Sequence, residues 1–118
     1  MKRNHRNLRA WQQAVDLVSA IYRFTEAFPE SERYGLSSQM RRASVSVPAN
    51  IAEGFARSGT KELLHFLSIA SGSLSELDTL AEIAVKLGYV SRTNKIQQDI
   101  DAVSGLIMGL SASLKRRT

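Results

Sequence analysis

The sequence predicts an all-α protein, an antiparallel up-down-up-down four-helix bundle, on three observations. Four segments repeat their apolar residues every three or four positions, and only a few residues join each segment to the next. No segment shows the strict alternation of a half-buried strand. Connections that short turn each helix back beside its predecessor. The 118 residues, 43% apolar and 23% charged, can bury one core but not two, so a single bundle over 1–118 is expected.

The first helix is expected from about Leu8 to Phe28, with Trp11, Ala14, Val15, Val18, Ile21, Tyr22 and Phe28 on one broad side. Phe28-Pro29 ends it, because the residue before a proline avoids the α region. The second runs from Leu36, after Tyr34-Gly35, to Arg57 and carries Leu36, Met40, Ala43, Val47, Ile51 and Phe55. Pro48 lies well inside it, removes one hydrogen bond and crowds the Ser44 carbonyl, so a kink is expected there. Asn50 falls on or beside the inward stripe, where a buried amide needs partners: it either lines a pocket or satisfies local backbone and fixes register. Gly54, one turn on, reads as a close helix contact.

Ser58-Gly59-Thr60 opens the third helix, Lys61 to Leu87, with Leu63, Leu67, Ala70, Leu74, Leu77, Ala81 and Ala84 inward. Leu87-Gly88-Tyr89 stops it, with glycine where a left-handed residue belongs. Ser91 is the expected cap of the fourth helix, 91–115, whose stripe is Ile96, Ile100, Val103, Ile107, Leu110 and Leu114.

The apolar arcs are wider than one bundle needs. Helix 3 adds Phe66, Ile69, Leu80, Ile83 and Leu87 and spans roughly 200°, and helix 1 about 180°, where a lone bundle requires about 100°. Ser68, Gly72, Ser75 and Thr79 on the opposite side of helix 3 would let another backbone come close. A homo-oligomer packed through helix 1 or helix 3 follows; the alternative is a small domain that leaves some Leu and Phe half exposed.

Catalytic and metal chemistry find little support. The chain has no cysteine, which excludes disulfides, thiolate chemistry and Cys-based zinc sites. His5 and His65 are far apart, and neither has a carboxylate or second histidine three or four residues on. No phosphate-cradling glycine loop occurs, and no cofactor is expected. Gly105 and Gly109 match the membrane GxxxG pattern but lack the surrounding 20 apolar residues. The basic start, Met1 to Arg6, is followed by apolar residues broken up by Arg9, Gln12, Gln13 and Asp16, unlike an exported leader. A soluble, cytoplasmic protein is expected.

Charge placement is the stronger clue. The formal net charge is +5. In an up-down bundle the start of helix 1, the turn between helices 2 and 3 and the end of helix 4 share one end. That end collects Lys2, Arg3, Arg6, Arg9, Arg57, Lys61, Lys115, Arg116 and Arg117, nine of the 16 basic residues, against Glu53 and Glu62. Such an end grips phosphates by counterion release, or it merely solubilises chain ends and complements a helix dipole. Arg41 and Arg42 form a second basic pair, available to nucleic acid or to a cross-subunit ion pair. No recognition-helix motif or clustered aromatic platform is visible.

The segment from Ser38 through Arg41-Arg42, Pro48-Ala49-Asn50-Ile51-Ala52 and Glu53-Gly54 resembles the signature of the bacterial family of 23S rRNA-intervening sequence proteins. The likeness extends to Trp11 and Ala14, to Phe28-Pro29, Glu32 and Tyr34-Gly35-Leu36, to Phe66 through Leu77, and to Leu87-Gly88-Tyr89. Ser44 stands where a more apolar small residue is expected. The resemblance implies a four-helix bundle assembling as a ring-shaped homopentamer. Similar proteins include the accessory protein of diversity-generating retroelements, a basic barrel that binds nucleic acid and a reverse transcriptase, which makes RNA or DNA and such a protein candidate partners here. The expected function is therefore a non-enzymatic, oligomeric nucleic-acid-binding or RNA-associated accessory protein; the alternative is a protein-interaction scaffold whose apolar surfaces serve assembly only.

Overall fold

The structure, a computed structural model, describes residues 4–117. Four helices follow a short 3₁₀ turn at Asn4–Asn7: α1 (Arg9–Thr25), α2 (Leu36–Ala56), α3 (Thr60–Lys86) and α4 (Ile96–Arg116), with a second 3₁₀ turn, Glu30–Glu32, between α1 and α2. No strand occurs among the described residues. The helices close a ring in which α1 neighbours α2, α2 neighbours α3, α3 neighbours α4 and α4 returns to α1, and among the described residues no diagonal pair of helix backbones comes close. The body measures 46 × 26 × 20 Å, its length set by the 27-residue α3 at 1.5 Å per residue.

Cross-contacts give the direction of two of these pairs. Along α2 and α3, Gln39 meets Glu76, Ser46 meets Ser73, and Gly54 meets Leu63. Along α3 and α4, Asp78 meets Gln97, while Leu64 shares a groove with Lys115. One number rises as the other falls, so both pairs are antiparallel.

Most of the α2, α3 and α4 stripes expected from periodicity is the core, with Met40, Val47, Ile51, Leu67, Leu77 and Ile107 fully enclosed, while Phe55, Leu110 and Leu114 are only partly buried against it. In α1 the inward row is Ala10, Ala14, Leu17 and Ile21. Val15 and Tyr22, expected inward, instead stay 40% and 43% exposed, because an arc of about 180° is wider than the two neighbouring helices can cover.

Helix ends differ from expectation at two places. The first helix stops at Thr25 rather than Phe28: the amides of Glu26, Ala27 and Phe28 each reach back only three residues, to Arg23, Phe24 and Thr25, and Pro29 has no amide to continue the ladder. The fourth helix starts at Ile96 rather than Ser91. Ser91 closes its own turn, accepting from the Thr93 amide through Oγ and from Asn94 Nδ2 through its carbonyl. The capping role falls to Asn94, whose Oδ1 accepts the Ile96 N–H at 2.9 Å, the usual way a short polar side chain satisfies an orphan amide of the first turn.

Two glycines act as expected. Gly88, at φ +79°, terminates α3 in a Schellman motif, with Tyr89 N–H bonded to the Ala84 carbonyl and Gly88 N–H to that of Val85. A methyl at Gly54 would lie 2.9 Å from Leu63 Cδ1 and 3.0 Å from Phe66 Cβ, so only glycine lets α2 and α3 approach so closely. α2 continues through Pro48 as one helix. Asn50 does not turn to the Ser44 carbonyl: its Nδ2 donates to the carbonyl and hydroxyl of Ser46, and that hydroxyl meets Ser73 Oγ at 2.9 Å. This polar chain ties α2 to α3 in register.

Candidate nucleic-acid interface

The antiparallel order brings the start of α1, the α2–α3 turn and the end of α4 to one pole. The Asn4–Asn7 turn packs on both α1 and α2, and the groove shared by Leu64 and Lys115 sets the end of α4 beside the first turns of α3. Arg6, Arg9, Arg57, Lys61, Lys115, Arg116 and Arg117 are all exposed at this pole. Lys2 and Arg3 lie outside the described residues. Arg117 and the last turn of α4 stand where the helix dipole is negative, so those cations sit favourably.

Several of these cations are held by neighbours. The Arg6 guanidinium lies 5.3 Å from the centre of the Trp11 ring, whose edge meets His5 at 5.0 Å. Arg57 lies 5.1 Å over Phe66, which His65 meets in the same edge-on manner, and its guanidinium also bonds Glu53 at 2.7 Å. Both histidines thus flank an aromatic ring that carries an arginine. These two clusters escaped the sequence reading, since nothing in the spacing of Arg57 and Phe66 shows that a tight turn brings one over the other. A guanidinium stacked on a ring keeps an outer face and free N–H groups for phosphate or a base.

Arg41 and Arg42 belong to the other half of the molecule. Arg41 Nε donates to Thr25 Oγ1 at 2.9 Å, and its guanidinium lies 4.6 Å over the Tyr22 ring. Arg42 lines an open groove of about 550 Å³ between α2 and α3, with Tyr34, Gln39, Ser46, Ser73 and Glu76. At the far pole the polar groups are bonded to one another. Glu32 accepts the Leu36 N–H at 3.0 Å and the Tyr89 O–H at 2.7 Å, which holds its carboxyl below the ordinary value and raises the Tyr89 phenol. Glu82 takes a two-pronged ion pair from Arg92, which lowers its pKa likewise.

No group of three or more His, Asp or Glu side chains among the described residues is placed to hold a metal ion, and no described helix is long and apolar enough to cross a membrane. The molecule is thus of the class of four-helix bundles with one cationic pole and one internally bonded pole. The chain belongs to the family of 23S rRNA-intervening sequence proteins, whose model matches residues 6–109. A solved structure of similar fold is that of a protein of unknown function from the S23 ribosomal protein family of Bacteroides thetaiotaomicron. It is 19% identical, with a TM-score of 0.80 over 87% of this chain and 95% of that one; at that identity the likeness is one of fold. No curated protein matches the chain.

Proposed function

We propose that this protein is a non-enzymatic, oligomeric nucleic-acid-binding accessory protein that associates with RNA through its cationic pole. One observation carries the reading: three chain segments remote in sequence deliver exposed arginines and lysines to the same end of the bundle. Clustered cations release condensed counterions when they meet phosphates, which gives affinity without sequence readout. The stacked Arg6 and Arg57 add planar groups that suit unpaired bases. Membership in a family named for an rRNA intervening sequence agrees with RNA as the partner.

The uncovered apolar residues of α1 and α3, Val15, Tyr22, Ile69 and Ile83, support self-association, with the pentamer that the family resemblance implies as the proposed number. Repeating the cationic pole around such an assembly multiplies its phosphate contacts. Fluorescence anisotropy with a labelled RNA oligomer at low salt tests the function. Native protein binds, and charge reversal at Arg6, Arg9 and Lys61 together abolishes most of that binding. If native protein fails to bind RNA or DNA at low salt while light scattering still reports an oligomer, the chain is an assembly scaffold instead.

A further inference from the structure

We propose that the groove between α2 and α3 is a guanine-nucleotide site, separate from the cationic pole, in which Tyr34 stacks on the base, Glu76 reads its edge and Arg42 takes its phosphate. The groove holds about 550 Å³ and opens to solvent, a size ordinary for a small-molecule site. Arg57, at the end of the same helix, stands 15 residues beyond Arg42, which sets Arg42 about 22 Å from the cationic pole at 1.5 Å per residue.

Two opposite charges line this groove without meeting. The adjacent arginines of α2 are used in different ways. Arg41 is engaged on the α1 side by Thr25 Oγ1, the Tyr22 carbonyl and the Tyr22 ring. Arg42, on the α3 side, is exposed and has no hydrogen bond, ion pair or ring contact among the described residues. On the opposite wall Glu76 accepts one long hydrogen bond, from Gln39 Nε2 at 3.4 Å, which leaves most of its acceptor capacity unused. Elsewhere the chain closes such pairs itself, Glu82 with Arg92 at 2.6 Å and Glu53 with Arg57 at 2.7 Å. A cation and a carboxylate that share a groove unpaired suit a ligand with an anion at one end and N–H donors at the other.

Tyr34 supplies the third element. Its side chain is 86% exposed, more than any other large apolar side chain among the described residues. Arg33 lies 5.2 Å over one face of the ring, so the other face is open to a flat ligand, the arrangement on which bases stack. The floor beneath is polar and already ordered: the Ser46 and Ser73 hydroxyls meet at 2.9 Å, and Asn50 Nδ2 donates to Ser46. A floor so fixed loses little freedom when a ligand arrives.

The carboxylate selects the base. A two-pronged bond to a carboxylate takes two adjacent donors on one edge, and of the four RNA bases guanine alone presents them, at N1 and at its N2 amino group. The guanidinium suits the phosphate for the same geometric reason. This chemistry is shared by a free guanine nucleotide and by an unpaired guanine in an RNA strand.

Isothermal titration of the whole protein with GMP, AMP, CMP and UMP at low salt tests the site. GMP should bind about tenfold more tightly than the other three. Glu76→Gln should abolish that preference, and Arg42→Gln should lower GMP to the affinity of guanosine, which has no phosphate. Tyr34→Ala should weaken every nucleotide about tenfold, while Tyr34→Phe should bind as the native protein does. These three positions are exposed, so the variants should keep the native melting temperature and assembly mass. Charge reversal at Arg6, Arg9 and Lys61 should leave GMP binding unchanged, which separates this site from the fate of the cationic pole. A short uridine RNA with one guanine, set against the same RNA without it, identifies the source. A gain of about tenfold from the guanine, lost in Glu76→Gln, assigns the site to an RNA strand; no gain where GMP binds assigns it to the free nucleotide. No preference for guanine in either form, a preference that survives Glu76→Gln, or a fall in assembly mass in that variant would overturn the proposal, the last by making the groove a contact between copies.

Discussion

The two poles of the bundle contain similar side chains and use them in opposite ways. At the loop pole Glu32 is bonded by the Leu36 amide and Tyr89 hydroxyl, Glu82 by Arg92, and Arg33 lies 3.6 Å from Glu30. Carboxylates there are matched by donors of their own turn (Arg33, Leu36) or of another segment (Tyr89, Arg92), and the chemistry is consumed in shaping turns. At the cationic pole Glu53 is matched by Arg57, and the other described cations are exposed. Charge that stabilises a fold is neutralised within it; charge left in excess at one end is available to a partner. The contrast is what supports the cationic pole as the proposed functional end.

The largest expected effect that can break this contrast is on nucleic-acid affinity. Reversing Arg6, Arg9 and Lys61 should lower RNA affinity on the order of a hundredfold at low salt, as three phosphate contacts are lost. Reversing Arg33, Arg92 and Lys95 at the loop pole should leave affinity within about twofold while lowering the melting temperature. Equal losses of affinity from the two triples would erase the distinction between the poles. Next in size, Gly54→Ala at the α2–α3 junction forces a methyl into contacts of 2.9 and 3.0 Å and should cost about 1–3 kcal/mol in chemical denaturation. Gly88→Ala at the opposite junction meets no atom and should cost about 1–2 kcal/mol, from the left-handed backbone alone.

The smallest effect is pH-dependent. Because folding depresses the Glu32 pKa, its contribution to stability is present above the unfolded carboxylate value and is lost as pH falls through the lower folded one. Folding raises the Tyr89 pKa, so the phenol's contribution is present below its unfolded value and lost as pH rises through the folded one. Glu32→Gln should therefore lower the melting temperature at neutral pH and converge with the native protein in strong acid. A gap of constant size from neutral pH down to pH 2 would show that the ionised form of Glu32, held by the Leu36 amide and the Tyr89 hydroxyl, adds nothing to stability.

What the sequence made legible was whatever depends on period and on turn chemistry. Leu67, Leu74 and Leu77 had to face inward because three- and four-residue spacing leaves them no other common side, and Gly88 had to be left-handed because the helix ended there. The bundle's connectivity then carried the cations at 6–9, 57–61 and 115–117 to one pole. Three things were not legible. Trp11 under Arg6 and Phe66 under Arg57 depend on how tight turns aim side chains. Asn94 rather than Ser91 caps α4 because a local turn claims the serine first. Val15 and Tyr22 are apolar yet exposed, since periodicity reports a residue's side of the helix but not whether a neighbour reaches it.

The salt dependence of RNA binding tests the central claim most directly. A plot of the logarithm of the association constant against that of salt concentration, for native protein and a single-stranded RNA, should fall with a slope of about −0.7 for each phosphate engaged, reaching roughly −3 or steeper. The triple reversal at Arg6, Arg9 and Lys61 should flatten that slope by about 2. A slope near zero, or a steep slope left unaltered by the reversal, would contradict the assignment of the cationic pole as the RNA-binding end.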